Sequence, residues 1–465
     1  MPQGPARSLT LSSRETEWLS LILIGGLLAG YALFSKGFAY LGRPPLFIGE
    51  IVLGLCLVLF MLRPDFKLLR MPGTPWLIVA FCLFCLTRTI PYFEDYGLMS
   101  LRDSVLYGYA IFAFLVGTLM ARQSRLQALL PAYDITSLLI ILASPLVIFL
   151  SRHQAVSQIT DTPPLIFQKA GDISVHLAGA ACFRLVGLNG WQPKGPATLK
   201  RMLNICFWAA WVVSAAWAAA TSRAAMLTII VSMALVFCAG FGRRIILMGA
   251  SLIVALSALF TAFNLGIHQS GRDVSGSQIW ANALSVIGYD SGSDGDADVS
   301  NLKGTMKWRT DWWQKIIETT LDEDYALTGR GFGVNLAAED GFQVDINDRL
   351  RSPHNIHMNV LARTGFAGLF LWILLLGWFF RSLWLSARRM RARGLAGWHA
   401  VGIWILTYWL ATMVNGSFDV YIEGPQGGIW AWSLMGVGMA VIWLERHARP
   451  SEPGQSAAGL APDVA

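Results

Sequence analysis

The feature that most constrains this chain is a series of apolar runs, each roughly 17–22 residues long, the length a helix needs to cross the hydrocarbon core of a bilayer. The runs fall at Trp18–Phe34, Leu46–Leu62, Pro75–Ile90, Val105–Met120, Tyr133–Leu150, Ile173–Leu188, Leu203–Ala220, Ala225–Phe241, Ile246–Phe263, Asn355–Phe380, Trp398–Val414 and Gly428–Leu444. The chain therefore reads as an all-α polytopic membrane protein with about twelve transmembrane helices. Composition agrees: 54% of its 465 residues are hydrophobic and only 14% are charged, where a soluble chain carries about a quarter. The nineteen tryptophans suit aromatic belts at two membrane–water interfaces. The six cysteines lie in or beside apolar runs, which argues against a disulfide framework or a zinc site.

Charge placement orients the bundle. With the N-terminus cytoplasmic, Arg63, Lys67 and Arg70, then Arg122 and Arg125, then Lys194, Lys200 and Arg201, then Arg243 and Arg244, then Arg388 to Arg393, and finally Arg446 and Arg449 all fall on one side. That is the positive-inside pattern, and it puts both termini in the cytoplasm. The net charge of +7 is thus a topology signal, with no soluble basic patch for nucleic acid. The first run lacks a small-residue cleavage site after it and reads as a retained span. The expected organisation is a cytoplasmic tail (1–17), nine spans (18–263), one large periplasmic loop (264–353) with an amphipathic helix at about 305–321, three further spans (354–447) and a disordered cytoplasmic tail (448–465). The cytoplasmic loops are too short for a nucleotide-binding domain, so the working face is the outer one. The acidic stretch Ser291–Ser300 has poor spacing for a calcium loop.

Cations on the outer side oppose the insertion bias, and each needs a reason. Arg223 follows Ser222, a candidate N-cap, and so sits at the positive end of a helix dipole; it either snorkels to headgroups or faces an anion. Arg309 lies in "MKWRTDWWQKII" on the apolar half of the amphipathic helix, beside Trp312, Trp313 and Ile316. It either makes a cation–π contact or points into a dry space beneath the helix. In "RSPHNIHMNV", Ser352 can cap and Pro353 suits the first helical position, which would put His354 and His357 on one face at the outer mouth of a span. A helix N-terminus favours neutral imidazole and binds anions, so His354 is a candidate general base. No carboxylate or cysteine joins the two histidines at metal spacing, so no metal or other cofactor is expected. Arg330 in "GRGFG", Arg351, His357, Lys169 and His176 are secondary candidates.

Two arginines and two helix N-termini at the outer headgroup level suit a lipid diphosphate, and a neutral histidine beside them can take a proton from a hydroxyl. Glycosyl transfer from a lipid-diphosphate donor follows as the reading. "SRAA" at the head of one span, "R..WW" in the large loop, "GRGFG", and "PHN......TG..G" together resemble the O-antigen ligase and O-antigen polymerase superfamily of bacterial inner-membrane proteins. The resemblance covers about Ala220 to Leu369. It implies a GT-C-like, metal-independent glycosyltransferase that uses an undecaprenyl-diphosphate-linked glycan. It further implies that Arg223 and Arg309 contact the diphosphate and that His354 is the catalytic base, facing the periplasm. The outer loop "SKGFAYLGRPPL" lacks the carboxylates that metal-dependent GT-C enzymes place there. The acceptor is lipid A–core for a ligase or a lipid-linked repeat unit for a polymerase, and the residues alone do not separate the two. The rival reading, a transporter or flippase, would place polar residues at the bilayer midplane on broken helices in repeated halves.

Overall fold

The computed structural model describes residues 13–153, 165–190, 197–249, 266–269, 272–275, 297–322, 324–344 and 350–447. They form helices α1 (Ser13–Phe34), α2 (Ile48–Leu62), α3 (Thr74–Thr87), α4 (Leu98–Gly108), α5 (Ile111–Met120), α6 (Gln123–His153), α7 (Ala170–Leu185), α8 (Ala197–Thr221), α9 (Arg223–Cys238), α10 (Ala297–Leu321), α11 (Ile356–Ala392), α12 (Ala396–Gly416) and α13 (Pro425–His447). Two short antiparallel ribbons, Gly42–Arg43 with Leu46–Phe47 and Gly266–Gln269 with Arg272–Ser275, are the β-structure among the described residues. The protein is an all-α, multi-pass membrane protein. Among the described residues, seven helical segments are long and apolar enough to cross a bilayer on their own, and α2 and α9 are shorter apolar helices. Ten of the expected spans each overlap one helix, whereas Val105–Met120 runs from the end of α4 across a break into α5. The expected span Ile246–Phe263 beyond residue 249, residues 291–296 of the acidic stretch, residues 1–12 of the N-terminal tail and the C-terminal tail (448–465) lie outside the described residues, while residues 13–17 of the expected N-terminal tail belong to α1.

Helix α13 is the axis of the bundle, and almost all of its side chains are buried. Its small residues explain why: at Gly436 a Cβ would stand 2.5 Å from the Ala113 carbonyl oxygen. Only glycine lets α13 lie this close to α5, the small-residue packing that replaces hydrophobic drive inside lipid. Around it, α7 and α12 bury Phe183, Trp404 and Tyr408 in one aromatic stack with Tyr133.

One end of the bundle is closed by simple ion pairs. Glu17 receives Arg122 at 3.2 Å and also pairs with Arg125, and Glu445 receives Arg389 at 2.7 Å and Arg393 at 3.0 Å. The opposite end is roofed by α10. Its Trp312 and Ile316 are fully buried with Leu361 and Ala362 of α11, so α10 caps the bundle.

Helix α11 is broken near that roof. Gly365 has φ 63° and ψ −168°, outside the helical region, a conformation that only glycine adopts without strain. The carbonyls freed by the break are satisfied by "GRGFG": the Arg330 N–H donates to Ala362 (2.8 Å) and the Gly331 N–H to Arg363 (3.0 Å). The Phe366 N–H in turn donates to Ala326 (2.8 Å). This glycine loop is a splint for a kinked helix, and it fixes the outer piece of α11 that carries the site.

Candidate functional site

The site is assembled where α10, the start of α11, the α12–α13 turn and the approach to α7 meet. Helix α11 starts later than its sequence suggests. Asn355 is the N-cap, its side-chain oxygen accepting from the His357 (2.9 Å) and Met358 (3.2 Å) N–H groups. The expected cap, Ser352, spends its hydroxyl on Glu423 at 2.7 Å. An asparagine in place takes two orphan N–H groups at once, so it wins the capping position.

The consequence is that His354 and His357 do not share a helical face. His354 precedes the helix in the left-handed region, φ 55°, which is uncommon for a side-chain-bearing residue and costs about 1–3 kcal/mol. It is held there from both sides. Trp313 Nε1 donates to the Pro353 carbonyl at 2.8 Å, and the Trp308 ring lies edge-on to the His354 ring, 6.4 Å between centroids. His357 is structural instead: its Nδ1 accepts from Trp372 Nε1 (3.1 Å), which leaves Nε2 to donate to the Ser417 hydroxyl (3.1 Å).

His354 Nδ1 faces Asp419 Oδ1 at 3.6 Å. This is longer than a hydrogen bond and within ion-pair range. Asp419 also receives Lys169 Nζ at 3.1 and 3.3 Å and the Val420 N–H at 2.8 Å. Burial alone would raise the Asp419 carboxyl, but His354 and Lys169 outweigh it and hold it well below the usual carboxylate range. Lys169 behaves reciprocally: burial opposes its charge, and Asp419 and Asp172 more than restore it. Asp419 is therefore an anion fixed beside one nitrogen of His354.

Arg309 comes from the roof. Its Nη1 donates to the Phe418 carbonyl at 2.9 Å, and its buried Nε has no hydrogen-bond partner among the described residues. Burial depresses the guanidinium, and Asp419 partly offsets this. Arg223 stands at the first position of α9, where Ser222 caps by accepting from the Ala225 N–H at 3.3 Å. Its guanidinium contacts the Met306 sulfur, one turn before Arg309 on α10, and Arg309's charge bears on it. Two arginines from separate elements thus lie close together at a helix N-terminus, a like-charge arrangement that favours a bound anion.

His354 also lines a cavity of about 620 Å³, whose lining includes Lys36, Arg102, Lys169, Asp172 and Glu423. Neither Arg223 nor Arg309 lines it. Glu423, away from bulk water, has its carboxyl raised to about 7, although the Ser352 hydroxyl and Arg363 favour its charged form.

Of the other sequence candidates, Lys169 and Arg351 are at the cavity, and two are not. Arg330 is not a phosphate contact: it is buried and turned inward to Asp340 at 2.7 and 3.1 Å, because the loop that carries it is docked on the α11 kink. His176 lies inside the bundle, with Nδ1 2.6 Å from the Tyr408 hydroxyl and its ring against Trp430; the turn of α7 that carries it faces α12 and α13. Sequence reasoning missed Asp419, Glu423 and Asp103. Asp103 ties the site together by receiving Arg351 and Arg363, each at 3.0 Å.

No curated protein matches the chain. Residues 208–373 match the family model described as O-antigen ligase, a stretch that contains Arg223, Arg309, the glycine loop, His354 and the kink at Gly365. That stretch is similar to the O-antigen ligase and polymerase superfamily, and the match supports a membrane glycosyltransferase of ligase or polymerase type.

Proposed function

We propose that this protein transfers a glycan from undecaprenyl diphosphate to an acceptor hydroxyl at the periplasmic face of the inner membrane, as an O-antigen ligase with lipid A–core as acceptor. The observation that carries this reading is that His354 lines the cavity with Asp419 beside its Nδ1, while Asp419 also faces the charge of Arg309. The diphosphate lies on Arg223 and Arg309, and the acceptor sugar enters from the cavity. Asp419 holds a proton on Nδ1, which leaves Nε2 free as the base. As Nε2 takes the hydroxyl proton, the acceptor oxygen bonds to the anomeric carbon and the carbon–oxygen bond to the diphosphate breaks. The electron pair departs on the diphosphate, whose growing charge the two arginines stabilise. Asp419 stabilises the imidazolium until its proton is lost to solvent. The energy resides in the donor, so no nucleotide is consumed, and no step calls on a metal ion.

The same site would serve a polymerase whose acceptor is a lipid-linked repeat unit. A gel of surface polysaccharide from a deletion strain distinguishes the two. Bare core, with full-length glycan accumulating on the carrier lipid, is the expected pattern. Core capped by a single unit would make the protein a polymerase, and wild-type polysaccharide would remove both assignments.

A further inference from the structure

The cavity beside His354 has a charge pattern that donor binding leaves unused. Its acidic lining residues are each engaged. Asp103 is held by Arg351 and Arg363, Asp172 by the Ser35 hydroxyl at 2.9 Å, and Glu423 by the Ser352 hydroxyl. Glu50 accepts from the Tyr109 hydroxyl and from the Phe47 N–H at 3.1 Å.

Two lining cations differ. Among the described residues, neither Lys36 nor Arg102 has a carboxylate partner at ion-pair distance. The Lys36 ammonium lies 5.7 Å over the Tyr40 ring, and Arg102 reaches only the Met99 sulfur, at 4.0 Å. They are close enough to feel each other: burial, then Lys169 and more weakly Arg102, depress the Lys36 ammonium against the pull of Asp172 and Asp419. Lys36 is also deliberately placed. Ser35 before it is held at φ 50°, a left-handed conformation unfavourable for serine, by its bond to Asp172. A strained residue pinned by a buried carboxylate, next to a lysine at a cavity wall, is hard to explain by packing alone.

We propose that Lys36 and Arg102 form a second anion site, which receives a phosphate carried by the acceptor in the cavity that His354 lines and the donor's arginines do not. The inference rests on the glycosyl-transfer reading and specifies its acceptor. A lysine and an arginine together match the roughly dianionic charge of a phosphate better than the single charge of a carboxylate. The phosphate belongs either to a phosphorylated core sugar or to the diphosphate of a lipid-linked repeat unit.

The test uses the full chain in nanodiscs with a lipid-diphosphate-linked glycan as donor. Three acceptors are compared: phosphorylated lipid A–core, the same core after phosphatase treatment, and a lipid-diphosphate-linked repeat unit. In the K36Q/R102Q variant, the KM of the acceptor used by wild type should rise about tenfold or more, with kcat and donor KM within about twofold. K36R/R102K should recover most of the loss, which a merely structural role would not require. If core is the acceptor, phosphatase treatment should impose the same KM increase on wild type and add nothing in K36Q/R102Q. If wild type uses only the lipid-linked unit and its KM rises in the variant, the phosphate is that of the acceptor's own carrier. An unchanged acceptor KM in a variant that melts like wild type overturns the proposal and leaves the glycosyl-transfer reading standing. Equal use of phosphorylated and dephosphorylated core by wild type does the same. Full transfer by His354→Ala, or no transfer by wild type to any of the three acceptors, overturns both.

Discussion

Asp419→Asn isolates the contribution of the anion behind the base. The Nδ1–Oδ1 separation is 3.6 Å, with the two side chains 24% and 20% exposed. At an effective dielectric of about 20, unit charges at that distance attract by about 4–5 kcal/mol. Partial exposure screens this roughly by half, which leaves about 2 kcal/mol. The neutral ground-state imidazole gains little from Asp419, whereas the imidazolium of the transition state gains nearly all of it. The variant should therefore lose about 30-fold in kcat, with donor KM within about threefold. The assay is steady-state transfer from a lipid-diphosphate-linked glycan by purified protein, with melting of the variant followed in parallel. A kcat within twofold of wild type would refute the claim that Asp419 acts on the base. A large rise in donor KM at unchanged kcat would instead place Asp419 in donor binding.

Three further outcomes follow from the same geometry. Arg309→Ala should lower kcat/KM by about 10²–10³-fold, and Arg309→Lys should recover little in the same transfer assay, because a lysine cannot hold the Phe418 carbonyl and reach an anion together. His354→Gly and His354→Ala should both be inactive, but the glycine variant should be more stable in denaturation by about 1 kcal/mol, since alanine must hold the same left-handed backbone. Glu423→Gln should change the pH dependence of stability. A carboxyl raised to about 7 favours the fold while protonated, so it costs nothing below its unfolded value near pH 4.5; the cost grows between pH 4.5 and 7 and is complete above pH 7. The variant should gain on the order of 2 kcal/mol over wild type in melts above pH 7 and nothing below pH 4.5.

Much of the bundle was legible because membrane helices are written as local apolar runs, and because cations on the wrong side of a membrane stand out. Arg223 and Arg309 were singled out that way, and the structure places Arg223 at the first position of α9 and Arg309 midway along α10, with their charges bearing on each other. His354 drew notice for its pairing with His357 behind Ser352 and Pro353, yet its conformation did not. Which of Ser352 and Asn355 caps α11 is decided by Glu423, 71 residues away, and no local pattern contains that competition. The glycine loop has the rhythm of a phosphate cradle; its real partner is a helix break at Gly365, a long-range match invisible to motif reading. Asp419 was missed although the sequence held a cue. From Trp398 to Leu444 the only acidic residues are Asp419 and Glu423, both in the one short turn between two spans. Acidic residues so isolated in an apolar region are expected to have a specific partner.

The central claim is that His354 is the base for transfer from a lipid diphosphate. Its most direct test is single-turnover transfer of a labelled glycan from undecaprenyl diphosphate by purified wild type and His354→Ala, with donor binding measured separately for each. The account predicts that both bind donor within about threefold of each other and that the variant transfers about 10²–10⁴-fold more slowly. Transfer by the variant at the wild-type rate, with donor bound equally, would contradict it.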